Sequence, residues 1–571
     1  MAVPFSFRKR NTMWKKKLLA VTMCAVLTFS ACGRAEGDSA SSQMTRLNHQ
    51  TAYKDLDDKY GTTYEVFVRS FYDSNGDGIG DLKGLEEKLD YLNDGDPETN
   101  DDMTVDGIWL MPIMPSTTYH KYDVTDYEEI DPEYGTMEDF DQLVKACHDR
   151  GMKIYIDLVM NHTSSQHPWF KEASEYLKSL PQGQEADAAE CPYLDYYHFS
   201  KEKETGYQKL EGSDYYYECR FWSEMPDLNV ESDAVRSEFS KITRFWIDHG
   251  VDGFRLDAAK EYTSGSVSTN VDDLTWFEDT VKAQKKDIYV VAEVWNGVEE
   301  YARYYASGID SCFDFSFADK DGLITKRASG KKPASTFAPK MVQVTDLLRK
   351  YNPNAVDAPF FVNHDMNRAA GYFSGDEAQS QDKIAWAMNF MMSGNAFLYY
   401  GEELGMKGSG KDENKRLPMQ WGSGDSQGMT TGPEDADKNI EQPNGALTEQ
   451  EKDPYSIYSY IREAVQLRSR FPLLARGDVK PVEELSSDTV SVFEKTVPKT
   501  LPDGMTEEIK ESKPLLICMN LSNQAEEVDL GAFTGELSAV LVINEEEVSL
   551  KDGKLILPAY GTAIITLEGE E

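Results

Sequence analysis

The chain of 571 residues carries 59 Lys and Arg against 100 Asp and Glu, a net charge of −41, with 40% hydrophobic and 11% aromatic residues. That is apolar material for several domains, which excludes a small disulfide scaffold and a wholly disordered chain. The acidic balance excludes a partnership with nucleic acid phosphates and leaves neutral, cationic or metal-bridged ligands.

In chain order, Arg8, Lys9, Arg10, Lys15, Lys16 and Lys17 precede an apolar run from Leu18 to Phe29 that contains no acid, the pattern of an export signal over 1–31. The stretch Leu27-Thr28-Phe29-Ser30-Ala31-Cys32-Gly33 resembles a bacterial lipobox, although Phe29 stands where Leu is more usual. It predicts lipidation at Cys32, a polar tether over 32–50 and a lipid anchor holding the exported chain to the membrane at a bacterial cell surface. An ordinary signal peptide or an uncleaved anchor are the alternatives. The remaining cysteines, Cys147, Cys191, Cys219, Cys312 and Cys518, are too scattered for a disulfide framework or a zinc cluster. Whether Cys191 and Cys219 bridge stays open.

Past the tether, short apolar β runs alternate with helical stretches. Tyr64–Val68, Gly107–Met111, Lys153–Val159, Gly253–Leu256, Ile288–Ala292, Cys312–Phe317, Ala358–Val362 and Ala396–Tyr400 read as strands buried on both faces. Met137–Arg150, Asp233–His249 and Gln381–Met392 read as helices between them. Eight such strands predict an α/β fold, a closed (β/α)8 TIM barrel, with catalytic groups at the C-terminal strand ends. The barrel is expected over 51–162 and 226–474. The interval 163–225 is too long for a simple connection and is rich in Tyr, Trp and Phe, which predicts an inserted B domain after the third strand. Trp169, Tyr215, Tyr216, Tyr217 and Trp222 are candidates to stack on sugar rings, with core packing the commoner fate for such residues. From 475 to 571 the runs Thr489–Thr496, Pro514–Leu521, Leu537–Ile543 and Leu555–Leu567 predict a C-terminal all-β sandwich.

The ionisable residues gather where strands end: Asp157-Leu158-Val159-Met160-Asn161-His162, Arg255-Leu256-Asp257, Glu293-Val294-Trp295 and Asn363-His364-Asp365. One such carboxylate is unremarkable as a cap or salt bridge. Several carboxylates with an Arg and two His at one end of a barrel need environments that separate their proton affinities, which is what acid/base and nucleophile roles require.

Nine motifs in order, YEVFVRSFYDSNGDGIGDLKGLEEKLDYL, GIWLMPIMP, KYDVTDYEEIDPEYGTMEDF, DLVMNH, MPDLN, GFRLDAAKE, AEVW, FVNHD and GNAFLYYGEELG, make the chain resemble the α-amylase family of glycoside hydrolases over about Tyr60 to Pro472. The resemblance implies Asp257 as nucleophile, Glu293 as general acid/base and Asp365 as the third acid, with Tyr122, Asp123, His162, Arg255, Lys260 and His364 binding substrate. A retaining mechanism needs one ionised carboxylate and one protonated carboxyl about 5–5.5 Å apart. Arg255, two residues before Asp257 and so on the same strand face, suits the first, and an apolar setting beside Trp295 suits the second. Glu261 follows Lys260 where many family α-amylases have His, a departure at the reducing side of the cleft and at any metal contact there.

The loop from Asp73 to Asp81 places Asp73, Asn75, Asp77 and Asp81 at positions one, three, five and nine, Gly78 at six and the Ile79 carbonyl at seven, the spacing of a Ca²⁺ loop. Gly84 at position twelve rules out an EF-hand, and an ion-free Asx turn is the alternative. The family resemblance favours a structural Ca²⁺ there, with Asn161 a candidate for a second ion, and no organic cofactor. DSNGDGIGDL and Arg416-Leu417-Pro418-Met419-Gln420-Trp421 resemble oligo-1,6-glucosidases, while Met225–Asn229 stands between them and neopullulanases. Ala258 after the nucleophile, and export, favour an endo-acting α-amylase on starch-like α-1,4-glucan or maltooligosaccharide. An exo-acting α-glucosidase or oligo-1,6-glucosidase, an α-glucan transglycosylase and a non-catalytic glucan-binding lipoprotein are the other readings.

Overall fold

A computed structural model describes residues 45–54, 56–424 and 427–568. The leader 1–31, Cys32 and the start of the tether lie outside the described residues. β1 (Gly61–Val66), β2 (Gly107–Leu110) and β3 (Lys153–Leu158) are followed, after an insertion, by β7 (Gly253–Leu256), β8 (Tyr289–Ala292), β9 (Ser311–Cys312) and β10 (Asn395–Tyr399). They form one parallel sheet in the order β10-β1-β2-β3-β7-β8-β9, a curled wall with nearly every strand residue buried. Helices on its outer side, such as Met137–His148 with its Thr136/Asp139 capping box, bury one stripe each, which is why the strands read as continuous apolar runs.

Isolated parallel bridges Phe313↔Ala358 and Phe360↔Phe397 join the sheet's two edges through residues 358–360. Two expected strands are therefore shorter than their apolar runs. Pro359 has no N–H to give a ladder. Beyond Cys312 the chain turns instead of extending, because the buried Asp314 carboxylate takes the Ser316 N–H at 3.0 Å and the Tyr301 hydroxyl at 2.5 Å.

Between β3 and β7 lie the helix Pro168–Ser179 and the small antiparallel sheet of β4 (Phe199–Ser200), β5 (Tyr207–Lys209) and β6 (Tyr216–Glu218), ordered β4-β6-β5. Bridges His162↔Asp227 and Tyr197↔Leu228 fasten this insertion to the rim of the barrel. Tyr215 and Tyr217 are core residues there, whereas Trp222 is exposed. Cys191 and Cys219 are both free thiols.

After the long helix Ile457–Arg470 the chain becomes antiparallel. β11 (Asp478–Pro481), β12 (Val490–Thr496), β13 (Leu515–Asn520), β15 (Gly535–Leu541) and β18 (Thr562–Leu567) form a five-stranded sheet, and β14 (Glu526–Asp529), β16 (Ser549–Lys551) and β17 (Lys554–Leu557) a three-stranded one. Leu516, Cys518, Val540 and Ile565 from the first sheet share a core with Val528, Leu555 and Leu557 from the second. The single run expected over Leu555–Leu567 divides at Pro558–Gly561, where Tyr560 turns left-handed (φ 53°), so its halves enter different sheets.

Candidate active site

Register builds the site. Leu256 pairs with Ala292 across β7 and β8, so the residues that follow, Asp257 and Glu293, leave adjacent strands at one end of the barrel. Asp157 pairs with Arg255 across β3 and β7. The buried Arg255 guanidinium then reaches three carboxylates. Nη1 donates to Asp157 at 2.9 and 3.0 Å and to Asp257 Oδ1 at 2.7 Å, while Nη2 lies 3.0 Å from Glu293 Oε2. Its other face meets the rings of Trp109 and Tyr122, 5.2 and 5.7 Å away. A charge so far from water is tolerable because three carboxylates surround it, although Nε and Nη2 make no hydrogen bond among the described residues.

Burial, helped by Asp257 and Asp365, outweighs Arg255 and raises the Glu293 carboxyl above its ordinary range. That is the direction expected from an apolar setting, although Trp295 itself stands at the mouth of the cleft, 42% exposed and stacked on Phe315. Ala258, left-handed at φ 47°, aims its N–H at Glu293 Oε2, 3.0 Å away. A non-glycine residue in that region stores strain, and here it serves to seat a carboxyl. For Asp365 burial acts upward, but His364 Nε2 at 3.2 Å and Arg416 Nη2 at 2.9 Å hold it far below the ordinary carboxylate value. The same neighbourhood overcomes burial at His364 and lifts it to about 9.

His162 is buried and kept neutral by desolvation, and its Nε2 has no hydrogen-bond partner among the described residues. It stands on the wall of a cleft of about 590 Å³ together with Tyr122, Asp257, Glu293 and Asp365. An unpaired ring nitrogen in such a place is ready for a ligand hydroxyl. Lys260 and Glu261 line the same cleft, and Lys260 Nζ donates to the Trp295 carbonyl at 3.2 Å.

Asp123 requires a correction. It is fully buried behind the wall, and its oxygens accept from the hydroxyls of Ser116, Thr117 and Thr118, leaving it to order that loop instead of meeting a sugar. His120 and Arg416, given no role from sequence, line the cleft, and burial with the nearby Arg416 depresses His120 to about 4. Glu65 was missed because an acid inside a strand reads as noise in an apolar run, and Asp157, though it stands among the ionisable residues at the strand ends, was given no role. The period-two alternation that puts Arg255 and Asp257 on one face is a signal that register extends to both. Phe221, Trp222 and Trp295 are 55%, 47% and 42% exposed, the large hydrophobics left exposed among the described residues, and all three line this cleft.

In the loop from Asp73 to Asp81 the donors are hard oxygens, a chemistry that fits Ca²⁺. Here the carboxylates serve Asx turns: Asp73 takes N–H groups of Gly76 and Gly78 at 2.6 and 2.7 Å, Asp77 that of Ile79 at 2.8 Å, and Asp81 those of Ser74 and Gly84 at 2.9 and 2.7 Å. Among the described residues no three acidic, His or Cys side chains close on one point as an ion site. Asn161, the other candidate, keeps a buried Oδ1 without a partner while its Nδ2 lies 3.4 Å from Asp227.

A barrel with three carboxyl groups held by one arginine at its C-terminal end is the architecture of an enzyme that works on a neutral, hydroxyl-rich ligand. Comparison with known proteins agrees. A model of the alpha-amylase catalytic domain matches residues 65–477. Alpha-amylase 3 of Dictyoglomus thermophilum is 36% identical over 507 residues, 86% of this chain and 95% of that protein. Oligo-1,6-glucosidase of Heyndrickxia coagulans is 29% identical over 73% of this chain and 86% of its own length. Among solved structures, Amy13B of Eubacterium rectale superposes with a TM-score of 0.86 at 45% identity, covering 92% of this chain and 99% of that one. The chain belongs to the α-amylase family and is a glycoside hydrolase.

Proposed function

We propose that the protein is a retaining, endo-acting α-amylase that cleaves α-1,4-glucosidic bonds in starch and maltooligosaccharides. Asp257 attacks the anomeric carbon, Glu293 protonates the departing oxygen and then activates water, and Asp365 steadies the oxocarbenium-like transition state. The chemistry of the environments supports this division: Glu293 is biased toward its protonated form and Asp365 toward its ionised one. Arg255 binds both reacting carboxyl groups, Tyr122, His162 and Lys260 hold the sugars, and the buried His364 orders Asp365 and Tyr122 from behind the wall.

The observation that carries endo action is the row of exposed rings, Phe221, Trp222 and Trp295, along one cleft. Exposed apolar surface of this kind marks a binding face, and flat aromatic faces suit successive glucose rings of a polymer. The name of the Dictyoglomus relative supports the α-amylase part of this reading. The test is a product time course from soluble starch and from isomaltose, with Glu293→Gln as control. Mixed maltooligosaccharides appearing early, with isomaltose untouched, are expected. Glucose alone, or cleavage of isomaltose, would move the assignment to an exo-acting glucosidase.

The reading extends to two further features. The residues Asp73, Asn75, Asp77, Ile79 and Asp81 take a structural Ca²⁺ by exchanging some Asx contacts for the ion, and chelation should lower the melting temperature of the protein. The leader and Cys32 place it outside a bacterial cell on a lipid anchor, so Cys32→Ser should abolish incorporation of labelled fatty acid and release the enzyme from membranes.

A further inference from the structure

Glu65 lies one residue before the C-terminal end of β1 with 1% exposure, an acid with no role in the chemistry set out above. Its Oε1 is 2.5 Å from His364 Nδ1. The other ring nitrogen, Nε2, is 3.2 Å from Asp365 Oδ2 and 2.8 Å from the Tyr122 hydroxyl. That hydroxyl donates to Asp157 Oδ2 at 3.0 Å, so it accepts from His364. Ionised carboxylates only accept, and a ring with acceptors at both nitrogens must donate from both. We infer that Glu65 is a positioning residue, which keeps His364 protonated on both nitrogens and fixes its Nε2–H on Asp365 and the Tyr122 hydroxyl, the two neighbours that line the cleft and would meet a bound sugar.

The inference rests on the glycosidase reading of this site for its sugar, though not for its proton. Every element around His364 takes part in the charge balance. Glu65 faces it from β1 and Asp365 from its own segment. Tyr122 and Trp109 stack or abut it from the β2 side, with ring centroids 5.5 and 5.7 Å away, and Tyr399 abuts it from β10 at 6.5 Å. Asp157 on β3 is felt beyond Tyr122. Arg255 on β7 and Arg416 after β10 are the opposing cations, and each is spent on carboxylates: Arg255 on Asp157, Asp257 and Glu293, Arg416 on Asp365. Glu65 is thus the carboxylate dedicated to the ring. With it, Asp365 faces a cation; without it, Asp365 alone opposes desolvation, which favours the neutral form, and the ring gives up its proton at lower pH.

The decisive measurement is the titration of the His364 ring by NMR in protein labelled at its eight histidines, with His364→Asn used only to assign the resonance. In the wild type the ring is expected to stay doubly protonated through pH 8. Glu65→Gln keeps the shape and a hydrogen bond but loses the charge. It should bring the midpoint down by at least about one pH unit, lower kcat on maltoheptaose about tenfold with KM changed little, and pull in the alkaline limb of the pH profile. A purely structural Glu65 would lower the melting temperature and leave both pH behaviours alone. A wild-type ring that titrates near its ordinary value of about 6.5, or a Glu65→Gln enzyme matching the wild type in kcat and ring titration, would overturn the inference. If Glu65→Gln does not fold, the wild-type titration alone decides. Absence of glucan hydrolysis by the wild type would instead strike the functional reading, since the ring titration requires no substrate.

Discussion

Two arginines, both buried, sit at opposite ends of the barrel and show two ways of keeping a cation out of water. Arg255, at the C-terminal end, is surrounded by ionisable partners, which together raise its proton affinity despite desolvation. Arg468, at the N-terminal end, meets backbone carbonyls: Nη1 donates to Phe390 and Met392 at 2.7 and 2.6 Å, and Nη2 to Gly61 and Gly394 at 3.1 and 2.7 Å. There burial wins and its proton affinity falls. Carboxylates can be exchanged, protonated and aimed, whereas carbonyls can only be tied together. One end is built to change its charge during a reaction and the other to hold strands still.

The contrast breaks most visibly at Arg255. Arg255→Lys supplies one point charge for three carboxylates and should lower kcat on maltoheptaose by about 10³-fold or more, with the melting temperature reduced far less. Arg468→Met should do the reverse, destabilising by about 3–5 kcal/mol through the stranded carbonyls while kcat of the folded enzyme at 25 °C stays within about twofold. Thermal unfolding and initial rates on the same preparations separate the two.

The pH dependence of stability sharpens the comparison. His364, lifted to about 9, contributes stability that is complete below its unfolded value and is lost as pH rises through about 9. Asp365, held low, contributes above its unfolded value and loses that contribution as pH falls. Melting temperatures from pH 6 to 10 should therefore decline less steeply in His364→Asn than in the wild type, while Arg468→Met runs parallel to the wild type. The smallest effect belongs to Ala258→Gly. It relieves a left-handed alanine, so kcat should change by no more than about threefold and stability by about 1 kcal/mol or less, read from rates and melting curves.

Much of this was legible in the sequence because strand ends and motif order are local facts. Asp257, Glu293 and Asp365 follow apolar runs; the first two runs became the adjacent strands β7 and β8, and the third a segment held by single bridges. Asp123 misled for a physical reason: a motif reports the residue type, and only packing shows that Ser116, Thr117 and Thr118 already consume its oxygens. The role of Glu65 and the partner of Asp157 were illegible for a related one, since the residues they bind are 299 and 98 positions away. The short β9 and the bridged segment at 358–360 escaped because apolar content measures burial and not whether a backbone has donors to spare.

That bridged segment bears on how the site can adjust. Asp257 and Glu293 stand on strands joined by continuous ladders, whereas Asp365 follows the one wall closed by single bridges around a proline. In the language of hydrogen exchange, the amides of 360–362 should take up deuterium before those of β7 and β8, because fewer bonds must open together. Faster exchange there would set the third acid on a more compliant wall than the other two, where small movements can follow a sugar as it flattens.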